Sequence, residues 1–111
     1  MMKIKFNNKE EMMNFCRNLV KITHENLTYL EYLDYYNFKT LTDKMFKKFL
    51  SLENNKKLSI KINPNEHQLL LILYSFVCYT TEAKILFIPI LESLRVQEER
   101  ESNINMKFKL N

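Results

Sequence analysis

The sequence predicts an α+β fold: a two-layer domain in which a small three-stranded sheet has one face covered by helices. This prediction comes from a five-residue phrase that occurs three times in the chain, at residues 3–7, 59–63 and 107–111. Each copy alternates polar and apolar residues, as a half-buried strand does, and each ends on asparagine, a favoured helix N-cap. In the first two copies a glutamate follows that asparagine by three residues. Each of these two strands should therefore lead directly into a helix.

The elements are predicted in the order β-α-α-β-α-α-β, within a single domain that spans residues 1–111. The third strand, Met106–Leu110, ends the chain. Three strands with one apolar face each can bury those faces only against helices, which gives two layers. The pattern leaves the order of the strands in the sheet open.

The first strand is predicted at Met2–Phe6, with alternate side chains on its inner face. Helix 1 should begin at Asn7 or Asn8, and Asn7 with Glu10 would form a capping-box-like pair. Apolar residues then recur at helical spacing, which indicates a buried face. They are Met12, Phe15, Cys16, Leu19 and Val20.

Two further helices are predicted before the second strand. Thr28 with Glu31 forms a second capping box and should start a short helix, which residues 37–40 then interrupt. A longer helix should follow from about Leu41 to Leu52, with apolar residues directed inward at helical spacing. Those inward residues are Leu41, Met45, Phe46, Phe49 and Leu50.

The second strand is predicted at Lys57–Ile62, and the clearest local signal in the chain follows it. Residues 63–66 combine an asparagine N-cap, a proline at the first helical position and a glutamate in the first turn. The helix that begins there should extend to about Tyr79. Because it is apolar nearly all round over residues 69–77, it is predicted to lie at the centre of the core.

Pro89 leaves two interpretations of the segment that follows. The favoured one makes Lys84–Ile88 extended and begins a helix at Pro89 that runs to about Glu101. The other is a helix capped by Thr80 or Thr81 that carries the proline in its interior, where proline costs about 3 kcal/mol.

The composition excludes the common nucleotide-binding and hydrolase classes. The chain has no glycine, which P-loops, dinucleotide fingerprints and nucleophile elbows all require. His24 and His67 have no partner at the spacing of a recognised metal or catalytic site. Cys16 and Cys78 are interpreted as small buried residues of a reducing compartment, although a disulfide between them remains open. We therefore expect no catalytic residue, no metal and no cofactor.

Alternation places a set of lysines on the sheet face that points away from the helices. Such a face could bind the phosphate backbone of a nucleic acid. It has no outward aromatic residue to stack on bases and no arginine, so we interpret it first as a solvated face that discourages edge-to-edge pairing. Binding to a polyanion or to an acidic protein surface is the alternative. The residues are Lys3, Lys5, Lys57, Lys61, Lys107 and Lys109.

Tyrosines crowd the short second helix. Leu30 and Leu33 can anchor that helix to the core, so some of the rings should lie at or near the surface. Tyrosine is enriched at protein interfaces because it gives a large contact area and a polar tip. We predict a partner-binding surface here, with rings packed over the rim of the core as the alternative. The residues are Tyr29, Tyr32, Tyr35 and Tyr36.

These observations predict a non-enzymatic domain that acts through contacts with another protein or with itself. Absent glycine, a single alanine and abundant lysine and asparagine indicate an AT-rich genome, such as that of some bacteria and their phages or plasmids, and we favour a phage or mobile element. The predicted role is a structural or accessory component, for example of a virion. An inhibitor of a host defence nuclease and a nucleic-acid-binding regulator are the alternatives.

The sequence also bears on location and assembly. The longest apolar run, residues 69–79, is too short to span a bilayer, so we expect the protein in the host-cell cytoplasm or in the virion and not in a membrane. Free edges of the predicted sheet would allow self-association by strand addition, although lysine-rich edges argue against it.

Overall fold

A computed structural model describes residues 2–25, 35–51 and 56–110, with the side chains of the last helix described as far as residue 103. The described chain combines four helices with a two-stranded antiparallel sheet, which confirms the α+β class. The elements, in chain order, are β1 (Met2–Phe6), α1 (Lys9–Glu25), α2 (Tyr35–Ser51), β2 (Leu58–Ile62), α3 (Pro64–Val77) and α4 (Thr81–Leu110).

The sheet consists of the two strands that the first two phrases predict. β1 pairs with β2 in antiparallel register, with Met2 opposite Ile62 and Phe6 opposite Leu58. Alternate residues of both strands are buried, so one sheet face lies against the helices and the other faces outward, as predicted. Strand 1 has the predicted limits, and strand 2 begins one residue later than predicted.

The third strand is not confirmed, because α4 continues through Leu110 and includes residues 106–110. One edge of the sheet is already occupied by this same helix. The side-chain amide of Gln97 accepts a hydrogen bond from the Lys3 N–H at 2.8 Å and donates one to the Lys3 carbonyl at 2.9 Å. Gln97 thus makes at Lys3 the two backbone contacts that a neighbouring strand would make.

The side chain of Lys44 occupies the other edge of the sheet, across the two strands from Gln97. Lys61 lies directly opposite Lys3 in the register. The Lys44 ammonium, on α2, donates a hydrogen bond to the Lys61 carbonyl at 2.7 Å. Side chains from α4 and α2 therefore close both edges at this level, which opposes the hypothesis of strand addition there.

α4 is helical on both sides of Pro89, so the favoured extended conformation of Lys84–Ile88 is wrong. The alternative helix is the one observed, and its cap is Thr80, whose hydroxyl accepts a hydrogen bond from the Ala83 N–H at 3.1 Å. Pro89 lies on the exposed side of α4. Water can reach the backbone there, which lowers the cost of the helical bond that proline cannot make.

The cap of α1 is shifted by one residue from the predicted pair. Asn8, not Asn7, accepts a hydrogen bond through its side chain from the Glu11 N–H, at 2.8 Å. Glu11, not Glu10, returns the bond by accepting from the Asn7 N–H at 3.1 Å. The helix consequently begins at Lys9.

α2 is one helix and has no break at residues 37–40. Leu41 and Met45 are buried as predicted, but Phe46 and Leu50 are exposed, so that part of the prediction is wrong. The buried side follows Asn37, Leu41 and Met45 at four-residue spacing, and Phe46 and Leu50 lie about 100° or more round the helix from Met45. Val20 of α1 is likewise exposed rather than buried. The short helix predicted at Thr28–Glu31 lies outside the described residues.

Aromatic rings connect the sheet, α1, α3 and α4 at the centre of the core. Phe15 packs against Phe6 at 5.8 Å between ring centroids and against Phe87 at 6.2 Å. Tyr74 contacts Phe87 from the other side at 5.6 Å. Phe87 is fully buried, so α4 supplies a central part of the core.

The two cysteines differ in burial, which gives a direct test of the fold. Both are free thiols, and Cys78 is exposed, contrary to the prediction that both are buried. Burial raises the pKa of the Cys16 thiol above its ordinary value, and the nearby Arg17 only partly opposes this. We expect one thiol per folded chain to react with a disulfide reagent at about pH 8 and both after unfolding. Cys78→Ser should abolish the native reactivity; two fast thiols in the folded wild-type protein would contradict the placement of α1.

Candidate functional site

The outer face of α3 is the most unusual surface of the described chain. The inner side of this helix is buried through Leu69, Leu70, Leu73 and Val77. The opposite side is also apolar and is open to solvent. Its large residues keep a substantial fraction exposed: Leu71 41%, Ile72 39% and Phe76 36%, followed by Tyr79 at 77%. The prediction that this helix lies at the centre of the core is therefore correct for one side only.

This surface carries no charge. Between Glu66 and Glu82 the chain has no lysine, arginine, aspartate or glutamate. The outer faces of the neighbouring helices, in contrast, carry exposed charges such as Lys39 and Asp43 on α2 and Arg95 on α4. We name as the α3 strip the exposed residues on this side of the helix, Gln68, Leu71, Ile72, Ser75 and Phe76, together with Tyr79 in the turn after the helix.

A buried carboxylate fixes the position of α3. The Glu66 side chain is fully buried and forms the predicted capping box with Asn63, accepting from the Asn63 N–H at 3.0 Å while Asn63 accepts from the Glu66 N–H at 2.7 Å. The same carboxylate accepts from the Lys44 ammonium at 2.6 Å and from the Thr40 hydroxyl at 3.2 Å. Both partners lie on α2. This network joins α2 to the start of α3 and orients the strip.

A second polar contact joins α3 to α4. His67 is nearly buried, and its Nδ1 lies 3.4 Å from a carboxylate oxygen of the exposed Glu98. The pair connects α3 to α4, and His67 lies one helical turn before Leu71 on α3. Its position between two packed helices assigns it a structural role.

The predicted tyrosine surface is present in part. Tyr35 and Tyr36, in the first turn of α2, are 54% and 75% exposed, while Tyr29 and Tyr32 lie outside the described residues. Phe46 and Leu50 extend the exposed apolar area along the same helix. Lysines and an aspartate interrupt this face, namely Lys39, Asp43 and Lys47.

The predicted six-lysine face is smaller than expected. Lys3 and Lys61 lie directly opposite each other on the outer sheet face, and Lys5 lies opposite Ser59. Lys57 is exposed just before β2. Lys107 and Lys109 belong to α4 and not to a strand, which corrects the prediction that they extend this face. Their side chains lie outside the described residues.

An open groove of about 530 Å³ lies between α1 and the first half of α4. Its two walls differ in character. α1 contributes polar residues, among them Glu11, Asn14 and Asn18, whereas α4 contributes Leu86, Pro89 and Ile90. Among the described residues the lining includes Lys21, Thr80 and carboxylates such as Glu82, but no histidine, cysteine or serine.

Charged groups on the outer side of α4 form a local surface network. Arg95 bonds to Glu92 and, at 2.6 Å, to Glu99. The hydrogen bond from Arg95 lowers the pKa of Glu92 below its ordinary value. In the described part of the chain, no group of three or more histidine, cysteine or acidic residues could hold a metal ion. Over the same residues, none of the helices has the length and apolarity that crossing a membrane requires.

Comparisons with protein-family models, with curated proteins and with solved structures found no match to this chain.

Sequence reasoning missed the α3 strip and the two residues that close the sheet edges. The strip had a visible signal, namely the absence of charge over residues 67–81, but this signal also describes a fully buried helix. Lys44 and Gln97 had none, because their roles depend on contacts between elements far apart in the chain.

Proposed function

We propose that this chain is a non-enzymatic protein-interaction domain that binds another protein chain through the α3 strip. The observation that carries the proposal is a helix that is apolar nearly all round over residues 69–77 and that keeps Leu71, Ile72 and Phe76 exposed beside the described residues. Such helices are normally enclosed. Contact with a second chain would bury the exposed side of α3.

The size and chemistry of the strip support this proposal. Its four large side chains expose on the order of 400 Å² in total, which is within the range of the largest apolar patch of a monomeric protein, a patch that is often functional. Aromatic enrichment and depletion of charge are the features of the centre of an interface. Phe76 and Tyr79 supply the aromatic rings, and the whole strip lacks charge.

For the biological role we propose a structural or accessory component of a phage or mobile element. The absence of glycine and the abundance of lysine and asparagine indicate an AT-rich genome, which supports that origin. A small inhibitor of a host defence nuclease is the alternative within the same class, because it too would act by covering part of another protein.

A photo-crosslinking amino acid tests the proposal. We expect benzoylphenylalanine at position 72, in the centre of the strip, to give a discrete crosslinked protein species in expressing cells. The same probe at position 17, on the exposed face of α1 and outside both candidate surfaces, is the matched control and should give none. A folded position-72 variant without a crosslinked product would refute the proposal.

Nucleic-acid binding is a second candidate function, which one specific observation favours. Lys3 and Lys61 face each other across the strands, and like charges in that position are destabilising unless an anion lies between them. If this face binds nucleic acid, affinity for single-stranded DNA should fall steeply with salt, and a Lys3→Glu, Lys5→Glu, Lys61→Glu variant should lose it.

We expect this experiment to give no sign of a nucleic-acid function. The wild-type protein should bind single-stranded DNA weakly, and the triple substitution should change that affinity little. The outer sheet face carries no aromatic residue for stacking bases, since its described residues are the lysines and Ser59. Fluorescence anisotropy at two salt concentrations measures both quantities. Tight wild-type binding that the triple variant loses would establish the nucleic-acid function instead.

A further inference from the structure

We propose that the groove between α1 and α4 binds a short amphipathic helix of another protein, with an apolar stripe and basic residues beside it. This inference goes beyond the proposed function and does not rest on it, because the groove and the α3 strip are different surfaces that share only Tyr79 among the described residues. Three features of the groove support it: its shape, the contrast between its walls and its local charge.

The shape of the groove favours a helix as its occupant. The lining residues of α1 recur every three or four positions from Glu11 to Glu25, so the groove follows one side of that helix for about 21 Å. Residues 82–90 of α4 form the other wall, and a cleft between two helices is where a third amphipathic helix can pack. An added strand would instead need a free sheet edge, and a polyproline segment would need a groove lined by aromatic residues.

The two walls offer an amphipathic helix one surface for each of its sides. The α4 wall is aliphatic, and Ile85 on it is 71% exposed. Pro89 is also exposed, and Leu86 lies half-buried beside it. The α1 wall presents polar groups such as the Asn14 side chain. A helix in the groove would therefore place its apolar stripe against α4 and its polar flank along α1.

The charge of the groove favours basic residues on that polar flank. Three carboxylates line it, from Glu11, Glu25 and Glu82, whereas Lys21 is the one cation among the described lining residues. The groove is thus locally negative, although the whole chain carries a net charge of +4. Charges more than about 8 Å away are largely screened at physiological ionic strength. A bound segment would therefore interact mainly with these groups.

The folding of α1 does not account for Glu25. This residue ends the helix, where the helix dipole favours a cation and disfavours a carboxylate. Among the described residues Glu25 has no ion-pair partner. A lysine or arginine on a bound helix would supply the cation that this end of the groove lacks.

A labelled peptide of about 14 residues, long enough to follow the groove, tests the proposal. Leucines recur in it every three or four residues, and lysines fill the other positions. Fluorescence anisotropy should give a dissociation constant of about 10–100 µM for the wild-type protein. An analogue with glutamate for every lysine should bind at least about 10-fold more weakly, because the carboxylates of the groove repel it. Equal affinity for the two peptides, or no saturation by about 1 mM, would overturn the proposal.

A pair of variants on α4 tests whether the peptide lies in the groove. Ile85→Asn should weaken binding at least about 5-fold, because it removes an apolar contact from the α4 wall. Ile88→Asn is the matched control. Ile88 is exposed on the same helix and is not among the described residues that line the groove, so affinity should stay unchanged. Circular dichroism checks that both variants fold, and a folded Ile85→Asn variant that binds like the wild type would contradict the proposed site.

A second pair of variants tests the local charge. Glu25→Lys should weaken binding of the lysine peptide about 5-fold at low salt, and less at high salt. It should not destabilise α1, because lysine suits the end of a helix. Asp43→Lys, on the exposed face of α2, makes the same change in total charge and should leave affinity unchanged. Equal losses in the two variants would show that binding follows the net charge and not the groove.

Two further results separate this inference from its alternatives. Dodecyltrimethylammonium, a small cationic amphiphile, is added below the concentration at which it forms micelles. If it binds in a manner that Ile85→Asn abolishes while the peptide does not bind, the groove takes a small ligand and the inference is wrong. The crosslink from position 72 should be the same in the Ile85→Asn background. Loss of peptide binding with that crosslink intact overturns the groove site alone, whereas peptide binding without any crosslink removes the proposed function alone.

Discussion

Phe87→Ala should lower the free energy of unfolding by about 3–5 kcal/mol, the range for removing a fully buried phenylalanine. The side chain contacts Phe15 and Tyr74 and has no exposed surface. Ile85→Ala, two residues away, should change the same quantity by about 0.5 kcal/mol or less, because Ile85 is 71% exposed. Urea denaturation followed by circular dichroism measures both values.

This pair of variants distinguishes a helix from a strand at residues 84–88. Residues two apart lie on the same face of a strand but point in different directions from a helix. If the segment were extended, Ile85 and Phe87 would be buried together, and the two substitutions would have similar effects. Losses of equal size would therefore contradict α4 as described.

Lys44→Met should be the second most damaging of these changes, with an expected loss of about 2–3 kcal/mol. The substitution keeps the length of the side chain but leaves the Glu66 carboxylate buried without its cation, and removing one partner of a buried pair is strongly destabilising. It also removes the hydrogen bond to the Lys61 carbonyl at the sheet edge. Because the Lys44 side chain is 38% exposed, we place the expected loss below the about 3–5 kcal/mol that breaking a fully buried pair costs.

Lys47→Met supplies the matched control for this prediction. Lys47 is on the same helix and exposed, and its substitution should alter the free energy of unfolding by about 0.5 kcal/mol or less. Chemical denaturation of the two variants in parallel gives the difference. Equal stability would show that the Glu66 carboxylate does not depend on Lys44.

Short-range patterns predicted the elements whose signal lies within a few neighbouring residues. The alternation of β1 and β2 and the Asn63–Glu66 capping box are of this kind. The path of α4 was not predictable in this way, because the cost of Pro89 is local whereas the gain from burying Phe87 comes from α1 and α3. The third phrase was mispredicted for the same reason. A third strand would need a free edge of the sheet, and at Lys3 the Gln97 side chain occupies that edge.

The candidate site was predictable only in its composition. The absence of charge around Leu71 and Phe76 is visible in the sequence, but whether such a helix is enclosed depends on how many other elements the chain can place around it. The exposure of Tyr35 and Tyr36 agrees with the expectation that some tyrosine rings lie at the surface. Their role in binding a partner stays a prediction.

The closed edges of the sheet have a consequence for how this protein folds. β1 and β2 are separated in the chain by α1 and α2, and the side chains that close their edges come from α2 and from α4 near the other end of the chain. The ribbon cannot form early as an independent hairpin, because its strands meet only after a long loop has closed. We therefore expect the amide of the buried Ile4, paired with Ile60 inside the ribbon, to exchange its hydrogen with solvent only when the whole molecule opens. The exchange rate of one short strand would then report on the cooperativity of the whole fold.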